Sequence, residues 1–259
     1  MTTNFATFLT GLFVLILFSA GYAQEPAEDI YKAVQEGNLA EVKYLIEKGA
    51  DINAKNGDGE TLLFDAAYYD NVEMIKYLVE RGADVNARND REQTPLASVT
   101  GGGNLEVVQC LVENGADINA TDEDGETSLF NAACCRNVKV VEYLIEKGAE
   151  VNIKNKIGVT PIFNAVFNGN ALSNGNLEMI KYFVEKGAEV NIKNEDGETP
   201  LFNAASSGHL GVIKYLVEKG LDLNITNKDD ETPLFNAVRC DHLEVVKYFV
   251  EKGLNVNAK

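Results

Sequence analysis

Asp196-Gly197-Glu198-Thr199-Pro200-Leu201-Phe202-Asn203-Ala204-Ala205 decides how the chain folds, because with small changes it recurs along nearly the whole sequence. Thr61, Thr94, Thr127 and Thr160 stand 33 residues apart, Thr199 follows after 39, and Thr232 after another 33. A fixed period of this size marks one supersecondary unit copied head to tail, a solenoid. Around each Thr the same pattern is written: a Gly two residues before in most copies, Leu or Ile two after, usually Ala at five, then an apolar helix. Each copy closes on Gly-Ala-Asp-Val-Asn or a variant of it, as at Arg81-Gly82-Ala83-Asp84-Val85-Asn86.

The unit itself reads as a helix pair. Thr is an N-cap residue type, and Pro suits the first helical position because its missing N–H has no intrahelical partner there. Pro95, Pro161, Pro200 and Pro233 stand there, with Leu62 and Ser128 instead in two copies. The second helix carries apolar residues at the helical period, Val72, Ile75, Leu78 and Val79 in one copy and Leu210, Ile213, Leu216 and Val217 in another. Gly82, Gly148, Gly187 and Gly220 follow at its end, where a left-handed residue is commonly needed. Helices of about ten residues cannot hide such stripes alone, so stacking is obligatory.

This pattern resembles the ankyrin repeat, whose period and Thr-Pro-Leu-His-x-Ala core it largely shares. The resemblance covers Ala27 to Lys259 in seven repeats, at about 27–55, 56–88, 89–121, 122–154, 155–193, 194–226 and 227–259, within one domain over 29–259. It implies an all-α fold, a solenoid of stacked helix-turn-helix units joined by hairpin-like turns, and a function in binding another protein. The family's His is replaced by Phe64, Phe130, Phe163, Phe202 and Phe235, with Ala97 in the third repeat. A polar link has become an apolar ring, which predicts added hydrophobic contact between repeats.

Four places depart from the pattern. The first repeat, entered through a polar linker at 24–28, lacks the Thr-Pro-Leu core and is more polar, as a terminal cap should be. The third has Gly101-Gly102-Gly103 where its first helix should finish, which predicts a short helix. The fifth carries six extra residues within Phe167 to Asn176, whose Asn and Gly richness predicts an exposed loop. The last repeat has a second helix, Leu243 to Glu251, as apolar as the interior ones, with no polar cap after it.

The first 23 residues carry no charged side chain, and Phe8 to Phe18 is a compact apolar run. Gly21-Tyr22-Ala23 before Gln24 fits the small-x-small rule, so residues 1–23 read as a secretory signal peptide cleaved after Ala23. The n-region offers only the α-amino group as its positive charge. The alternative is an uncleaved anchor, since Phe5 to Ala23 could just cross a bilayer of about 30 Å. Either way the repeats are expected outside the cytoplasm, periplasmic or secreted.

Lys plus Arg total 23 against 40 Asp plus Glu, a net charge of −17, which repels phosphate backbones and anionic membrane faces and makes nucleic acid an unsuitable partner. Cys110, Cys134, Cys135 and Cys240 have neither zinc-site nor Cys-x-x-Cys spacing and read as buried or half-buried thiols. His209 and His242 each stand ten residues after the repeat Thr, and identical columns in two repeats speak for a scaffold role. Asp122 to Glu126 and Asn194 to Glu198 look like calcium loops, but the EF-hand template would put Asn131 or Asn203 where a bidentate Glu is required. Neither a metal nor a cofactor is expected, and no nucleophile and base pair supports an enzyme.

In ankyrin repeats the turn tips and the two residues after the Ala-Ala pair project onto the concave face, where partners are gripped. Carried onto this chain, the tips supply Asp58, Glu60, Asp90, Arg91, Gln93, Glu123, Asp124, Glu126, Lys156, Ile157, Glu195, Asp196, Glu198, Lys228, Asp229 and Glu231. The helix ends supply Tyr68, Tyr69, Cys134, Cys135, Phe167, Ser206, Ser207, Arg239 and Cys240. Together they describe a groove with an acidic edge and a few aromatic anchors, suited to a basic protein partner. The competing expectation is a membrane-tethered assembly protein that self-associates through its uncapped C-terminal repeat.

Overall fold

The computed structural model describes residues 25–167 and 177–254. Among the described residues the chain is all helix, fourteen helices and no strand. They alternate as first and second members of seven pairs: α1 (Glu25–Gln35) with α2 (Leu39–Glu47), α3 (Leu62–Tyr68) with α4 (Val72–Glu80), α5 (Pro95–Val99) with α6 (Leu105–Glu113), and α7 (Ser128–Cys134) with α8 (Val138–Glu146). The series continues as α9 (Pro161–Phe167) with α10 (Leu177–Glu185), α11 (Pro200–Ser206) with α12 (Leu210–Glu218), and α13 (Pro233–Arg239) with α14 (Leu243–Glu251). First helices pack on first helices of the next repeat, and the second helices from α4 to α12 likewise. The predicted stacking is therefore what closes the core.

That core is continuous. Leu63, Leu78, Leu96, Leu111, Leu129, Leu144, Leu201 and Leu216 are all sealed from solvent, with Ile162 and Phe183 in the same places in the fifth repeat. Fully burying such a side chain is worth about 1.5–3 kcal/mol, which a lone helix pair could not gain. Phe64, Phe130, Phe163 and Phe202 are buried in the column that the sequence assigned to interrepeat contact, and only Phe235 of the last repeat is exposed there.

Three expectations are corrected. The segment read as a linker is helical from Glu25 onward, because Pro26 falls in the first turn of α1, where a missing N–H costs nothing. The repeat Thr does sit extended at the N-cap, yet only Thr94 uses its side chain, accepting from the Ala97 amide at 3.2 Å. Thr61, Thr127, Thr199 and Thr232 make no such bond, and instead the Thr carbonyl accepts from the third residue of the helix, as Thr61 does from Phe64 at 2.9 Å. The side-chain caps stand on the second helices, where Asn38, Asn71, Asn104 and Asn137 each accept from an amide of the first turn. Thirdly, Cys110 is buried and Cys134 half-buried as expected, but Cys135 and Cys240 are exposed, because their positions lie at the open ends of first helices.

The third repeat has the short first helix its glycines predicted, five residues against seven in most others. Gly49, Gly82, Gly115, Gly148, Gly187, Gly220 and Gly253 close the second helices with φ between 82° and 102°, the left-handed turn that glycine adopts freely. The inserted loop of the fifth repeat lies mostly outside the described residues, as does the apolar N-terminal stretch. Among the described residues no helix is long and apolar enough to cross a membrane.

Candidate functional site

Each turn tip is built by one short polar side chain. Asn56 Oδ1 accepts from the amides of Asp58 at 2.9 Å and Glu60 at 3.0 Å, and Asn89, Asp122, Asn155, Asn194 and Asn227 repeat the arrangement. A short side chain bonding its own downstream backbone is the Asx turn, which fixes the tip without strand pairing. Successive tips are then tied by single backbone bonds: Asp90 N–H to Asp58 O at 3.0 Å, Glu123 to Arg91 at 3.0 Å, Lys156 to Asp124 at 2.9 Å, Glu195 to Ile157 at 2.9 Å and Lys228 to Asp196 at 2.8 Å. The acidic tips thus form one fixed row.

Along that row Asp58, Asp90, Arg91, Glu123, Asp124, Glu195, Asp196 and Asp229 are exposed. Glu60, Gln93, Glu126, Glu198 and Glu231, one residue before the Thr, are half-buried. Burial pushes the Glu126 carboxyl above its ordinary value, against a 2.9 Å bond from Asn155 Nδ2, and the charges of Asp122 and Asp124 push the same way. Glu198 is raised for the same first reason, and the Arg239 guanidinium opposes the shift. Asp122, the first acid of the calcium-like run, spends one oxygen on the amides of Asp124 and Glu126, an architectural use.

At the helix ends, Tyr68 and Tyr69 are 74% and 49% exposed and lie edge to face, with ring centroids 5.2 Å apart. Phe167 and Arg239 are exposed too. Ser206 and Ser207 are half-buried and partly occupied in joining repeats: Ser207 Oγ donates to Phe167 O at 3.2 Å, and Asn236 Nδ2 donates to Ser206 Oγ at 3.0 Å. Beside the tyrosines, burial raises the pKa of Asp65, which accepts from Gln35 Nε2 at 2.9 Å. Tyr31 is pushed up to about 12, first by burial and then by Asp65, and its hydroxyl lies 2.8 Å from the carbonyls of both Ala54 and Glu60.

The histidines do scaffold work. His209 Nδ1 meets Val166 O at 3.1 Å and His242 Nε2 meets Ser206 O at 2.8 Å, each linking a repeat to the one before. In the same column Asn137 Nδ2 donates to Gly103 O at 2.8 Å.

One set of bonding residues escaped the sequence reading. Asn53 donates to Gly82 O at 3.2 Å and accepts from Asp84 N–H at 2.8 Å, and Asn86, Asn119, Asn152 and Asn191 do the same one repeat further on. Each ties two successive closing loops at the ends of second helices, and its signal was present in the fixed Asn of the closing Gly-Ala-Asp-Val-Asn.

The outer face, formed by second helices, has another chemistry. Tyr44, Tyr77, Tyr143, Tyr182, Tyr215 and Tyr248 each carry a Lys or Arg within 5.2–5.8 Å of the ring centre. Lys43 reaches Tyr77, Lys181 reaches Tyr215 and Lys214 reaches Tyr248, so these cation–π pairs also bridge neighbouring repeats.

A rigid row of acidic tips beside exposed helix ends, on a stack whose units are copies of one another, defines a helical repeat scaffold. Family models described as ankyrin repeats match residues 30–79, 87–155 and 169–259, and the chain belongs to the ankyrin-repeat family. No curated protein matches the chain. Ankyrin repeats bind other proteins, and proteins built of them are generally non-enzymatic interaction modules.

Proposed function

We propose that this chain is a non-enzymatic scaffold that works outside the cytoplasm and holds a protein partner with a basic surface in the groove between tip row and helix ends. The observation that carries the reading is the fixed row of exposed tip carboxylates running beside solvent-exposed Tyr68, Tyr69 and Phe167. Carboxylates at an edge steer encounter and select charge, while aromatic side chains supply binding energy once dehydrated. The extracytoplasmic location rests on the charge-free first 23 residues, and mass spectrometry of the mature N-terminus, expected at Gln24, tests it. For the groove the test is capture from secreted or envelope fractions. Binding is expected to fall with added salt and in the Tyr68→Ala, Tyr69→Ala double variant. Undiminished capture by that variant would overturn the assignment.

A second reading is favoured by one observation: Phe235, Val238, Leu243 and Val250, all in the seventh repeat, are exposed apolar side chains. In this reading the chain self-associates through that end while residues 5–23 tether it to a membrane. Fractionation separates the two, since the first requires a soluble mature form and the second a membrane-bound one.

A further inference from the structure

Among the nine tyrosines from Tyr31 onward, six on the outer face already have a cation of this chain over the ring. Tyr31 is engaged through its hydroxyl instead. Tyr68 and Tyr69 are different: among the described residues no Lys or Arg stands over either ring, although the pair is 74% and 49% exposed and fixed edge to face at 5.2 Å. Their surroundings are acidic. Asp65, one turn back on α3, is half-buried and taken up by Gln35 of the first repeat, while Asp70 follows the pair directly and is exposed. In the next repeat the corresponding corner is Gly101-Gly102, where a Cβ on Gly102 would meet no heavy atom within 4 Å. Beyond it, Cys135 Sγ would lie 3.1 Å from a Cβ on Gly101, so the fourth repeat closes over the first of these glycines but leaves the second open.

From this we infer that the second and third repeats form an arginine-binding subsite, with Tyr68 and Tyr69 as its aromatic wall, Asp70 as its counter-charge and Gly102 as its open floor. The inference rests on the groove reading above and names the partner side chain that the groove selects. A guanidinium fits because it is planar, stacks on rings and can fork to a carboxylate at the same time, whereas an ammonium is a compact, strongly hydrated charge. Charge complementarity points the same way: the chain carries −17 overall, and the pair lacks the cation that each outer-face ring has. The glycine corner leaves room for the arginine stem beside the rings.

The probe is a synthetic lysine-flanked peptide with one central arginine, titrated into the full repeat chain while the tyrosine ring resonances are followed by NMR. The Tyr68 and Tyr69 resonances are expected to shift saturably, and replacing the arginine by uncharged citrulline should weaken binding about tenfold, with lysine in between. Gly102→Leu should abolish the ring shifts without unfolding, because its Cβ enters open space and the backbone there is not left-handed. Circular dichroism of that variant checks the fold. If all three peptide forms bind equally and the two rings stay silent, the subsite is wrong while the acidic groove stands. If no peptide binds at low salt, the groove reading falls with it.

Discussion

Asn119 shows how much of the stack rests on single side chains. Its Nδ2 donates to Gly148 O at 3.1 Å and its Oδ1 accepts from Glu150 N–H at 2.9 Å, so one residue satisfies two backbone groups of the next repeat. Each bond is worth about 0.5–1.5 kcal/mol net. Asn119→Ala is therefore expected to lower unfolding free energy by about 1–2 kcal/mol in a denaturant titration, with helix content retained. Glu126 makes the opposite case. Its carboxyl is held above its ordinary 4.5, chiefly by burial, so the folded state binds its proton more tightly than the unfolded chain does. The stabilising contribution is full below 4.5 and is lost as pH rises through the higher folded value. Glu126→Gln keeps an acceptor for Asn155 and removes the charge. It should raise the melting temperature at neutral pH and narrow the gain that wild type shows on mild acidification, as thermal melts across that range would reveal. The sequence made Thr legible as a cap and left these asparagines unread, for one reason. Residue type announces a capability, but whether a hydroxyl or an amide meets a donor depends on the neighbouring repeat, which periodicity alone does not position.

At the scale of elements the period carried most of the information. The helix pairs, the glycine stops, the buried Leu and Phe columns and the shortened first helix of the third repeat were all legible, because each repeats a local rule along the array or breaks it visibly. The start of α1 was not, since a proline reads equally as linker or as first turn. The third repeat permits a sharp comparison between adjacent glycines. A Cβ at Gly103 would come within 2.9 Å of Val99 O, a backbone atom that cannot step aside, whereas one at Gly102 meets nothing within 4 Å. Gly103→Ala is expected to cost about 1–3 kcal/mol and to speed hydrogen exchange in α5 and α6, while Gly102→Ala stays within about 0.5 kcal/mol of wild type. Equal effects at the two positions would mean that the corner relaxes as a unit. The groove residues were legible in another sense. The exposure of Tyr68, Tyr69, Phe167 and Arg239 followed from the register, but the half-burial of Ser206 and Ser207 and their links to Asn236 and Phe167 did not, because a hydroxyl at a helix end carries no mark of its partner.

For the whole molecule, the two ends of the stack differ in kind. Ile30, Ala33 and Val34 of α1 are buried and the side facing away from the stack is polar, so the first repeat closes the core at that end. In the seventh repeat Phe235 is 41% and Val238 58% exposed, where their counterparts one repeat earlier, Phe202 and Ala205, are at 0%. Register is the same in both; the difference is the absence of a further helix pair over α13 and α14 among the described residues. Apolar surface left this way drives association that strengthens in salt, whereas the acidic groove binds through charges that salt screens. A variant with Phe235→Gln, Val238→Glu, Leu243→Lys and Val250→Glu should therefore stay fully helical and remain one size at every concentration. Wild type should grow in mean mass with concentration in light scattering, and more so at high salt. Partner capture through Tyr68 and Tyr69 in the second repeat, five repeats away, should be unchanged by the variant. Identical scattering from the two proteins would remove the C-terminal face as an interface and leave the groove as the surface that acts.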